Sequence, residues 1–363
     1  MKKATLILIA VMSAPLGCGG DNPPPVTPPP PVETAVVAPP PVETAKPAEP
    51  TPEELKKAAD DKKKADAAAK LVADRAKWET DSQAEAARWT PEVHADAKKI
   101  GSAKYPTLKA ALKAALAGKY RKPASVARDS QRHPAETLEF FGLKPTMTVL
   151  EYGPGEGWYT ELLAPTLAAK GKLMVTNNDP NGPPESRGTF YGQRFKRFLD
   201  NGPEIYGKVE TVITRGPTPK LDIDGKLDMI ILCRELHGMQ QNKIVPAFLA
   251  EAFKALKPGG VLGVEQHRAP EGANPDESAK KGYLPEAFVI QQAEAAGFKL
   301  AGKSEINANP KDTKDYAEGV WTLPPSFELK DKDHDKYAAI GESDRMTLKF
   351  VKPSAKAGGK AKK

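Results

Sequence analysis

Cysteines and long apolar runs are both scarce in this chain of 363 residues. Only two cysteines occur, Cys18 and Cys233. Cys233 lies in an apolar segment, which predicts a small buried hydrophobic residue rather than a nucleophile. The apolar run at residues 4–12 follows Lys2 and Lys3. It is too short to span a bilayer, and this pattern is typical of a signal peptide.

Surplus charge is also missing from most of the chain. The formal net charge is +7, but Lys2 and Lys3 supply two of these charges and the tail beyond Val351 supplies five. The remainder is formally neutral, so the charge gives no reason to expect a nucleic-acid partner. A basic tail of this kind is usually a solvated, disordered end.

Residues 149–179 contain the most informative pattern. An apolar run at 147–150 leads into a turn with Gly153, Gly155 and Gly157, and leucines at helical spacing precede a second apolar run at 173–176. This order predicts strand, glycine loop, helix and strand. A loop with so few side chains allows a ligand to lie against backbone N–H groups at a helix N-terminus.

One missing glycine decides which ligand is expected. A dinucleotide fingerprint, G-x-G-x-x-G, requires glycine where this chain has Trp158, and the spacing is instead E-x-G-x-G-x-G with Glu151 at its start. In this motif the chain resembles the class I S-adenosylmethionine-dependent methyltransferases. The alternative is a structural turn. The resemblance implies S-adenosylmethionine as cofactor, held by Glu151, Tyr152, Gly153, Pro154, Gly155, Gly157, Tyr159, Thr160, Asn177, Asn178 and Arg234.

The same resemblance implies an acidic residue after the second strand, to hold the ribose hydroxyls. This chain has Asn177, Asn178 and Asp179 there. Either Asn177 accepts through its carbonyl oxygen or Asp179 reaches back, and we favour Asn177.

Further strands are predicted at 207–214, 226–233, 261–265, 298–305 and 345–351, with helices at 242–256 and 285–296. The turn at 258–260 lies in K-P-G-G-V-L, a phrase common before the fifth strand of the methyltransferase class. The alternation predicts an α/β fold, a doubly wound, mostly parallel seven-stranded Rossmann-like sheet with helices on both faces.

Ligands of such sheets bind beyond the carboxyl ends of the strands. The loops after the fourth and fifth strands carry His237 and His267, which we predict as first and second candidates for a general base because histidine titrates near neutral pH. Glu235 or Glu265 can orient either ring. The alternatives are a structural histidine, or methyl transfer that needs no base because alignment suffices. No metal site is expected.

Residues 1–18 resemble the signal of an exported bacterial lipoprotein, with Cys18 in P-L-G-C as the lipidated residue. The position usually occupied by leucine holds Pro15, and ordinary signal cleavage is the alternative. If Cys18 carries lipid, no disulfide can form within one chain. The predicted location is the cell envelope, on the periplasmic side or the outer membrane, with Cys18 as membrane anchor.

Residues 19–51 are rich in proline and repeat P-P-P-V-E-T-A, which predicts an extended, disordered tether or a docking segment. A helical extension follows at 52–120, starting with a capping box of Thr51 and Glu54. It either packs on the methyltransferase domain, predicted at 121–353, or serves as a spacer. The tail is assigned to 354–363.

Two further segments resemble a bacterial branch of predicted methyltransferases. One is R-D-x-x-R-x-P, from Arg128 to Pro134, which either lines the rim of the pocket or forms a salt-bridged helix entry. The other is a long insertion at 306–344, predicted as a lid over the acceptor site with Tyr316, Trp321 and the pair Asn307 and Asn309. The resemblance covers about residues 108–353.

Two functions therefore remain. One is methyl transfer to a small-molecule or envelope-associated acceptor. The other is a non-catalytic binding or structural lipoprotein on a methyltransferase scaffold, favoured by export away from the cytoplasmic methyl donor and by the missing acid. The intact glycine loop favours the enzyme. The acceptor, the methylated atom and the oligomeric state do not follow from these residues.

Overall fold

The computed structural model of the protein describes residues 50–214, 216 and 220–354. The predicted signal peptide, Cys18, nearly all of the tether and the tail from residue 355 lie outside the described residues. The chain divides into two units, Met1–Lys57 and Ala58–Lys363. Within the described part of the first unit, Thr51 and Glu54 form the predicted capping box, with the Thr51 N–H 2.8 Å from the Glu54 carboxylate.

Seven strands form one sheet in the order β3-β2-β1-β4-β5-β7-β6. All neighbouring pairs are parallel except those made by β7, which is antiparallel to both β5 and β6. This confirms the predicted mostly parallel seven-stranded sheet. The strands are β1 (Thr148–Tyr152), β2 (Lys172–Asn177), β3 (Glu210–Ile213), β4 (Leu227–Cys233), β5 (Leu256–His267), β6 (Lys299–Ser304) and β7 (Arg345–Val351).

Two strand predictions had wrong bounds. β3 starts at Glu210 because the preceding residues, predicted as strand from Gly207, close a short helix that ends at Tyr206. β5 starts at Leu256, so the predicted turn at 258–260 lies inside the strand, with Gly259 at φ +81°. The pairing of β4 with β5 shifts register there, which lets the strand continue through a glycine kink.

Both faces of the sheet are covered. Along β4, Met229 and Ile231 belong to one core cluster, while Ile230 and Leu232 belong to the other. Successive side chains of a strand point to opposite faces, so this alternation shows a hydrophobic core on each side of the sheet. Helices at Val245–Ala255 and Glu286–Ala295 pack on one core. The helices that pack on the other core are Pro91–Ser102, Pro134–Phe141, Thr160–Leu167 and Arg187–Asn201.

Threonine side chains cap the first turns of two helices. Thr90 and Thr107 cap α2 and α3 by accepting backbone N–H groups. The helices are α1 (Pro52–Arg88), α2 (Pro91–Ser102), α3 (Leu108–Leu116), α4 (Pro123–Val126), α5 (Asp129–Arg132), α6 (Pro134–Phe141), α7 (Thr160–Leu167), α8 (Arg187–Asn201), α9 (Pro203–Tyr206), α10 (Leu236–Gln241), α11 (Val245–Ala255), α12 (Pro275–Lys280), α13 (Glu286–Ala295) and α14 (His334–Ile340).

The C-terminal half of α1 packs against α8. Arg75 donates to Gln193 at 2.9 Å, and Asp74 pairs with Arg187 at 2.7 Å. Trp78 meets Phe190 edge to face, with ring centroids 5.7 Å apart. Of the two alternatives for the helical extension, packing on the sheet domain is therefore the one observed for this part of α1. In the described part of the chain, no helix is long and apolar enough to cross a membrane.

Candidate active site

Two cavities open beyond the carboxyl ends of β1, β2 and β4. The first, which we call the large cavity, has a volume of about 1020 Å³. Its walls are the glycine loop after β1, the residues after β2, α8 and the C-terminal half of α1. The second, the small cavity, has a volume of about 400 Å³ and lies between the glycine loop, α5, the loops after β4 and β5, and the insertion before β7.

The glycine loop separates the two cavities and borders both. Gly153, Gly155 and Gly157 all have positive φ, at +66°, +59° and +88°, where a side chain would strain the backbone. A Cβ on Gly153 would lie 2.6 Å from the Glu235 carboxyl carbon, and a Cβ on Gly157 would overlap the Phe198 ring. At Gly155 there is open space. The loop therefore offers bare backbone to a ligand.

The loop also presents unpaired donors. The Gly153 N–H donates to Thr176 Oγ1 at 2.8 Å, which ties the ends of β1 and β2 together. The N–H groups of Gly155 and Glu156 have no acceptor among the described residues. Gly155 and Glu156 lie in the turn that leads into α7, and unpaired N–H groups there are suited to bind polar or anionic groups of a ligand.

Two carboxyl groups flank the loop, and burial raises the pKa of each to about 7. Glu151 is buried in β1 and accepts from Thr160 Oγ1 at 2.6 Å. Glu235, just after β4, borders both cavities and makes no hydrogen bond through its side chain within the described residues. A carboxyl group with this pKa exchanges protons near neutral pH, so Glu235 is placed to interact with a bound cation or to accept a proton.

Asn177 and Asn178 line the large cavity, as the sequence predicts for cofactor contacts. The Asn177 side chain is already engaged, because Nδ2 donates to the Gly192 carbonyl at 3.2 Å and Oδ1 accepts from the Asn178 N–H at 2.9 Å. Asp179 does not line the cavity, and its carboxylate accepts from the Asn181 N–H. Of the two alternatives for the ribose contact, Asn177 is the one at the cavity.

Sequence reasoning missed the part that helices α1 and α8 play in the large cavity. Trp78, Asp81, Ser82 and Glu85 of α1 line it together with aromatic residues of α8. The available signal was Trp78 itself, a large aromatic residue in a helix otherwise dominated by Ala, Lys, Asp and Glu. Aromatic rings in a half-buried wall provide a stacking surface for a flat ligand.

His237 lines the small cavity. Its ring packs edge to face on Trp321, with ring centroids 5.9 Å apart. Burial lowers the pKa of His237 to about 4, so the ring is neutral at neutral pH. Gln266 Nε2 lies 3.4 Å from His237 Nδ1 and 3.1 Å from the Gly282 carbonyl. Because the amide donates to both, Nδ1 accepts and the proton is on Nε2.

His267 lies beside His237, with ring centroids 5.8 Å apart. Its Nδ1 lies 2.5 Å from Ser343 Oγ, which ties the end of β5 to the residues before β7. Burial, with the neighbouring His237 and arginine charges, lowers the pKa of His267 well below its usual value. Both predicted histidines therefore meet in the small cavity as neutral rings.

A buried ion cluster supports the floor of the small cavity. Glu265 accepts from Tyr159 at 3.1 Å and from Arg234 at 3.2 Å, and Arg345 lies 3.3 Å away. Burial raises the pKa of Glu265, but the charges of Arg345, Arg234 and Arg132 outweigh it and lower the pKa overall. Arg234 has a positive φ of +60°, a strained conformation often found at functional sites.

Glu342 links the same cluster to α5. It accepts from Arg132 Nε at 2.7 Å and from Arg345 Nη1 at 2.7 Å, and all three side chains are buried. Arg128 and Arg132, from the R-D-x-x-R-x-P segment, both line the small cavity, while Asp129 pairs with Arg121. The segment therefore lines the pocket and also forms salt bridges, which are the two alternatives that the sequence left open.

Several predicted residues lie off the two cavities. Gly157 packs on Phe198, and Thr160 is buried behind Glu151. In the insertion, Trp321 lines the small cavity, whereas Tyr316 packs on Tyr337. The buried Asn307 side chain donates to threonines of α6 and β7, and Asn309 donates to backbone carbonyls before β7. These asparagines anchor the insertion. The remaining predicted residues line one cavity or both: Tyr152, Gly153, Pro154 and Gly155 in the loop, and Tyr159 and Arg234 below it.

The described part of the chain contains no group of three or more His, Cys, Asp or Glu residues that could hold a metal ion.

Part of the chain matches a known family of protein domains. Residues 126–300, just under half of the chain, match a family model described as a methyltransferase domain. No curated protein matches the chain.

Solved structures similar to the chain include three methyltransferases. An S-adenosylmethionine-dependent methyltransferase from Aquifex aeolicus is 20% identical, over 64% of this chain and 94% of that chain, with a TM-score of 0.41. A putative sarcosine dimethylglycine methyltransferase from Galdieria sulphuraria is 14% identical, over 64% and 91%, with a TM-score of 0.44. A putative methyltransferase from Bacillus halodurans is 16% identical, over 61% and 100%, with a TM-score of 0.40.

The domain match and the glycine loop indicate S-adenosylmethionine as the cofactor, and the site fits it. The large cavity is at the upper end of the range of about 300–1,000 Å³ typical for small-molecule sites. Bare backbone at Gly155, aromatic walls and the Glu235 carboxyl group offer partners for a polar, a flat and a cationic part of one ligand.

Proposed function

We propose that this protein transfers the methyl group of S-adenosylmethionine to a small acceptor bound in the small cavity. The observation that carries the proposal is the glycine loop, which has unpaired N–H groups and borders both the large and the small cavity. In this arrangement the nucleoside lies in the large cavity, and the methyl group faces the small cavity across the loop.

The cofactor supplies a methyl group on a sulfonium, so the chain's main tasks are alignment and exclusion of water. The loop at Gly155 and Glu156 holds polar groups by its free N–H donors. Trp78 and the aromatic residues of α8 provide the wall for the flat base. The Glu235 carboxylate faces the positive charge at the boundary of the two cavities.

For an acceptor that must lose a proton, we propose Glu235 as the group that takes it. Its pKa of about 7 suits a general base near neutral pH. His237 carries its proton on Nε2 and has a pKa of about 4, which suits it to donate a hydrogen bond from Nε2 to an acceptor oxygen. His267 remains the second histidine candidate.

The test is calorimetric titration of the purified protein with S-adenosylmethionine and S-adenosylhomocysteine, repeated with Gly155→Val. The wild type binds both compounds in the micromolar range, as is common for enzyme ligands. Gly155→Val abolishes binding, since it adds a side chain where the loop backbone faces the cavities. The matched control is Gly272→Val, at φ +74° with open space around it and away from both cavities. It carries the same backbone strain and keeps binding.

Failure of the folded wild type to bind either compound would contradict methyl transfer. It would favour the second candidate, a binding protein on a methyltransferase scaffold. The specific observation behind that candidate is the amide of Asn177 at the position of the ribose acid, with both of its polar atoms used inside the protein.

We also propose that the protein is exported and anchored in the cell envelope by lipid on Cys18, with residues 19–51 as a tether. The support is the charged and apolar pattern of residues 1–12 and the P-L-G-C phrase. Labelling with radioactive palmitate in a bacterial host tests this. Label is expected on the wild type and absent from Cys18→Ser, and equal labelling of both would contradict the anchor.

A further inference from the structure

We propose that the small cavity binds a methyl acceptor with an acidic group and a compact apolar body, and that Arg128 and Arg132 hold the acidic group. The inference rests on the proposed function, because it names the class of acceptor for that site. Four observations carry it: a buried guanidinium with a free nitrogen, an unpaired neighbour on the same face, the distribution of carboxylates, and an apolar opposite wall.

Arg132 is the first observation. Its side chain is only 4% exposed, and Trp158 lies beside its guanidinium at 5.3 Å. Nε donates to Glu342, but Nη1 is buried without a hydrogen-bond partner among the described residues. A buried guanidinium nitrogen without an acceptor is costly, so an anion bound in the cavity that this side chain lines would satisfy it.

Arg128 is the second. It also lines the small cavity, it is half-buried, and its side chain makes no hydrogen bond or ion pair within the described residues. Arg128 and Arg132 are four residues apart across the single turn of α5, which puts them on the same face. Burial lowers the pKa of both, that of Arg132 to about 9, as expected for cations that lack enough negative partners.

The carboxylates of the small cavity do not neutralise this pair. Glu342 is shared between Arg132 and Arg345, and Glu265 is shared between Arg345 and Arg234, so two carboxylates serve three arginines. Glu156 pairs with Arg194 outside the cavity. None of these carboxylates forms an ion pair with Arg128 in the described part of the chain.

The other two carboxyl groups, Glu151 and Glu235, lie beside the glycine loop, and burial raises the pKa of both to about 7. The small cavity thus has acids at its loop end, where a sulfonium would face them. At its α5 end it has Arg132, with a free Nη1, and Arg128, whose side chain has no partner among the described residues. An acceptor that carries a negative charge is complementary to that second end.

Part of the wall contributed by the insertion is apolar. This part is formed by Val320, Trp321, Pro324 and Pro325, and Trp321 is 36% exposed. A large exposed aromatic residue beside prolines provides a flat surface for a ring or a short hydrocarbon. The volume of about 400 Å³ exceeds the roughly 150 Å³ of a cavity that holds benzene, so a small aromatic acid has room to bind.

A competing role for the two arginines is to hold the carboxylate of the cofactor's own amino-acid part. The free N–H groups of Gly155 and Glu156 already offer donors to that carboxylate, next to the large cavity. The two roles make opposite predictions for S-adenosylhomocysteine, which has the same amino-acid part and no methyl group to transfer.

The experiment is calorimetric titration of benzoate into the protein saturated with S-adenosylhomocysteine, with Arg128→Gln, Arg132→Gln and the control Lys109→Gln. Lys109 is an exposed cation of α3 that lines neither cavity and has no ion pair in the described part of the chain. Benzoate binds the wild type and Lys109→Gln alike, and its affinity for each of the other two variants is lower by a factor of about ten or more. All variants keep the wild-type affinity for S-adenosylhomocysteine.

Three outcomes overturn the inference. They are absence of benzoate binding to the loaded wild type, equal benzoate binding by all variants, and loss of S-adenosylhomocysteine affinity in the Arg128 or Arg132 variant. If the wild type does not bind S-adenosylhomocysteine at all, the proposed function itself has failed. Thermal denaturation checks folding, and Arg128→Gln remains informative if Arg132→Gln does not fold, because Arg128 has no partner to lose.

Discussion

The large and small cavities share the glycine loop but differ in the structural elements that form their other walls. The large cavity is walled by two helices and by backbone, and its charged side chains lie mostly on exposed helix faces. The small cavity is surrounded by loops that a buried ion cluster holds together, with Arg132 and Glu342 separated by 210 residues in sequence. The first depends on local shape, and the second depends on contacts between distant parts of the chain.

The largest expected effect concerns the ion cluster. Glu342→Ala leaves Arg132 and Arg345 buried without their shared carboxylate, so it lowers the free energy of unfolding by about 3–5 kcal/mol. The control is Glu305→Ala, which removes a carboxylate that pairs with Arg268 but is 62% exposed. Its effect is less than about 1 kcal/mol. Urea denaturation measures both, and similar small losses would show that the small cavity does not depend on its ion cluster.

The next effect tests the wall of the large cavity. Trp78→Ala removes the ring that packs on Phe190 and lines this cavity, so affinity for S-adenosylhomocysteine falls about tenfold. Val72→Ala, on the same helix at 69% exposure, leaves affinity unchanged. Calorimetry compares the two. Unchanged affinity in Trp78→Ala would show that α1 does not contribute to cofactor binding.

A smaller effect, in pH dependence, concerns Glu235 at the boundary of the cavities. Burial raises its pKa from 4.5 to about 7, so it becomes an anion as pH rises through about 7. Affinity for the cationic S-adenosylmethionine therefore increases over this range more than affinity for S-adenosylhomocysteine, which lacks the sulfonium. The difference shrinks in Glu235→Gln. Because Glu151 titrates in the same range, Glu151→Gln is the companion variant.

The raised pKa of Glu235 has the opposite effect on the protein without ligand: stability decreases, rather than increases, as pH rises. Since the folded state holds the Glu235 proton more tightly than the unfolded state, its contribution is present at low pH and is lost as pH rises from about 4.5 to about 7. A melting temperature that falls less steeply with pH in Glu235→Gln than in the wild type is expected. An identical slope would show that Glu235 is not buried as described.

The last prediction involves no change in affinity. His237 stays neutral from pH 8 down to about 5, with its proton on Nε2, because burial lowers its pKa to about 4 and Gln266 donates to Nδ1. Long-range ¹H–¹⁵N correlation of the imidazole rings reports the tautomer, and His237→Asn identifies the signal. A titration near pH 6.5, or a proton on Nδ1, would return His237 to the role of general base.

The predictability of the two cavities differs for the same reason that their construction differs. The glycine loop is a local pattern, so Gly153, Gly155 and Glu151 were identified with their strand and helix. The small cavity was foreseen only as separate pieces: Arg132, His237, His267 and Trp321 each belong to a different segment. Nothing in the sequence shows that Glu342 joins Arg132 to Arg345, because ion pairing over such distances follows from the closed sheet.

The sequence by itself determined the order of strands and helices, the α/β class and the loop that marks the cofactor site, because hydrophobic periodicity, capping residues and glycines act over a few residues. Only the tertiary structure decided that α1 walls the large cavity, that the Asn177 amide is used internally, and that β5 runs through its glycines. These outcomes depend on which segments pack together in the folded chain. The same packing buries Glu235 and His237, and their burial shifts the pKa values of both side chains.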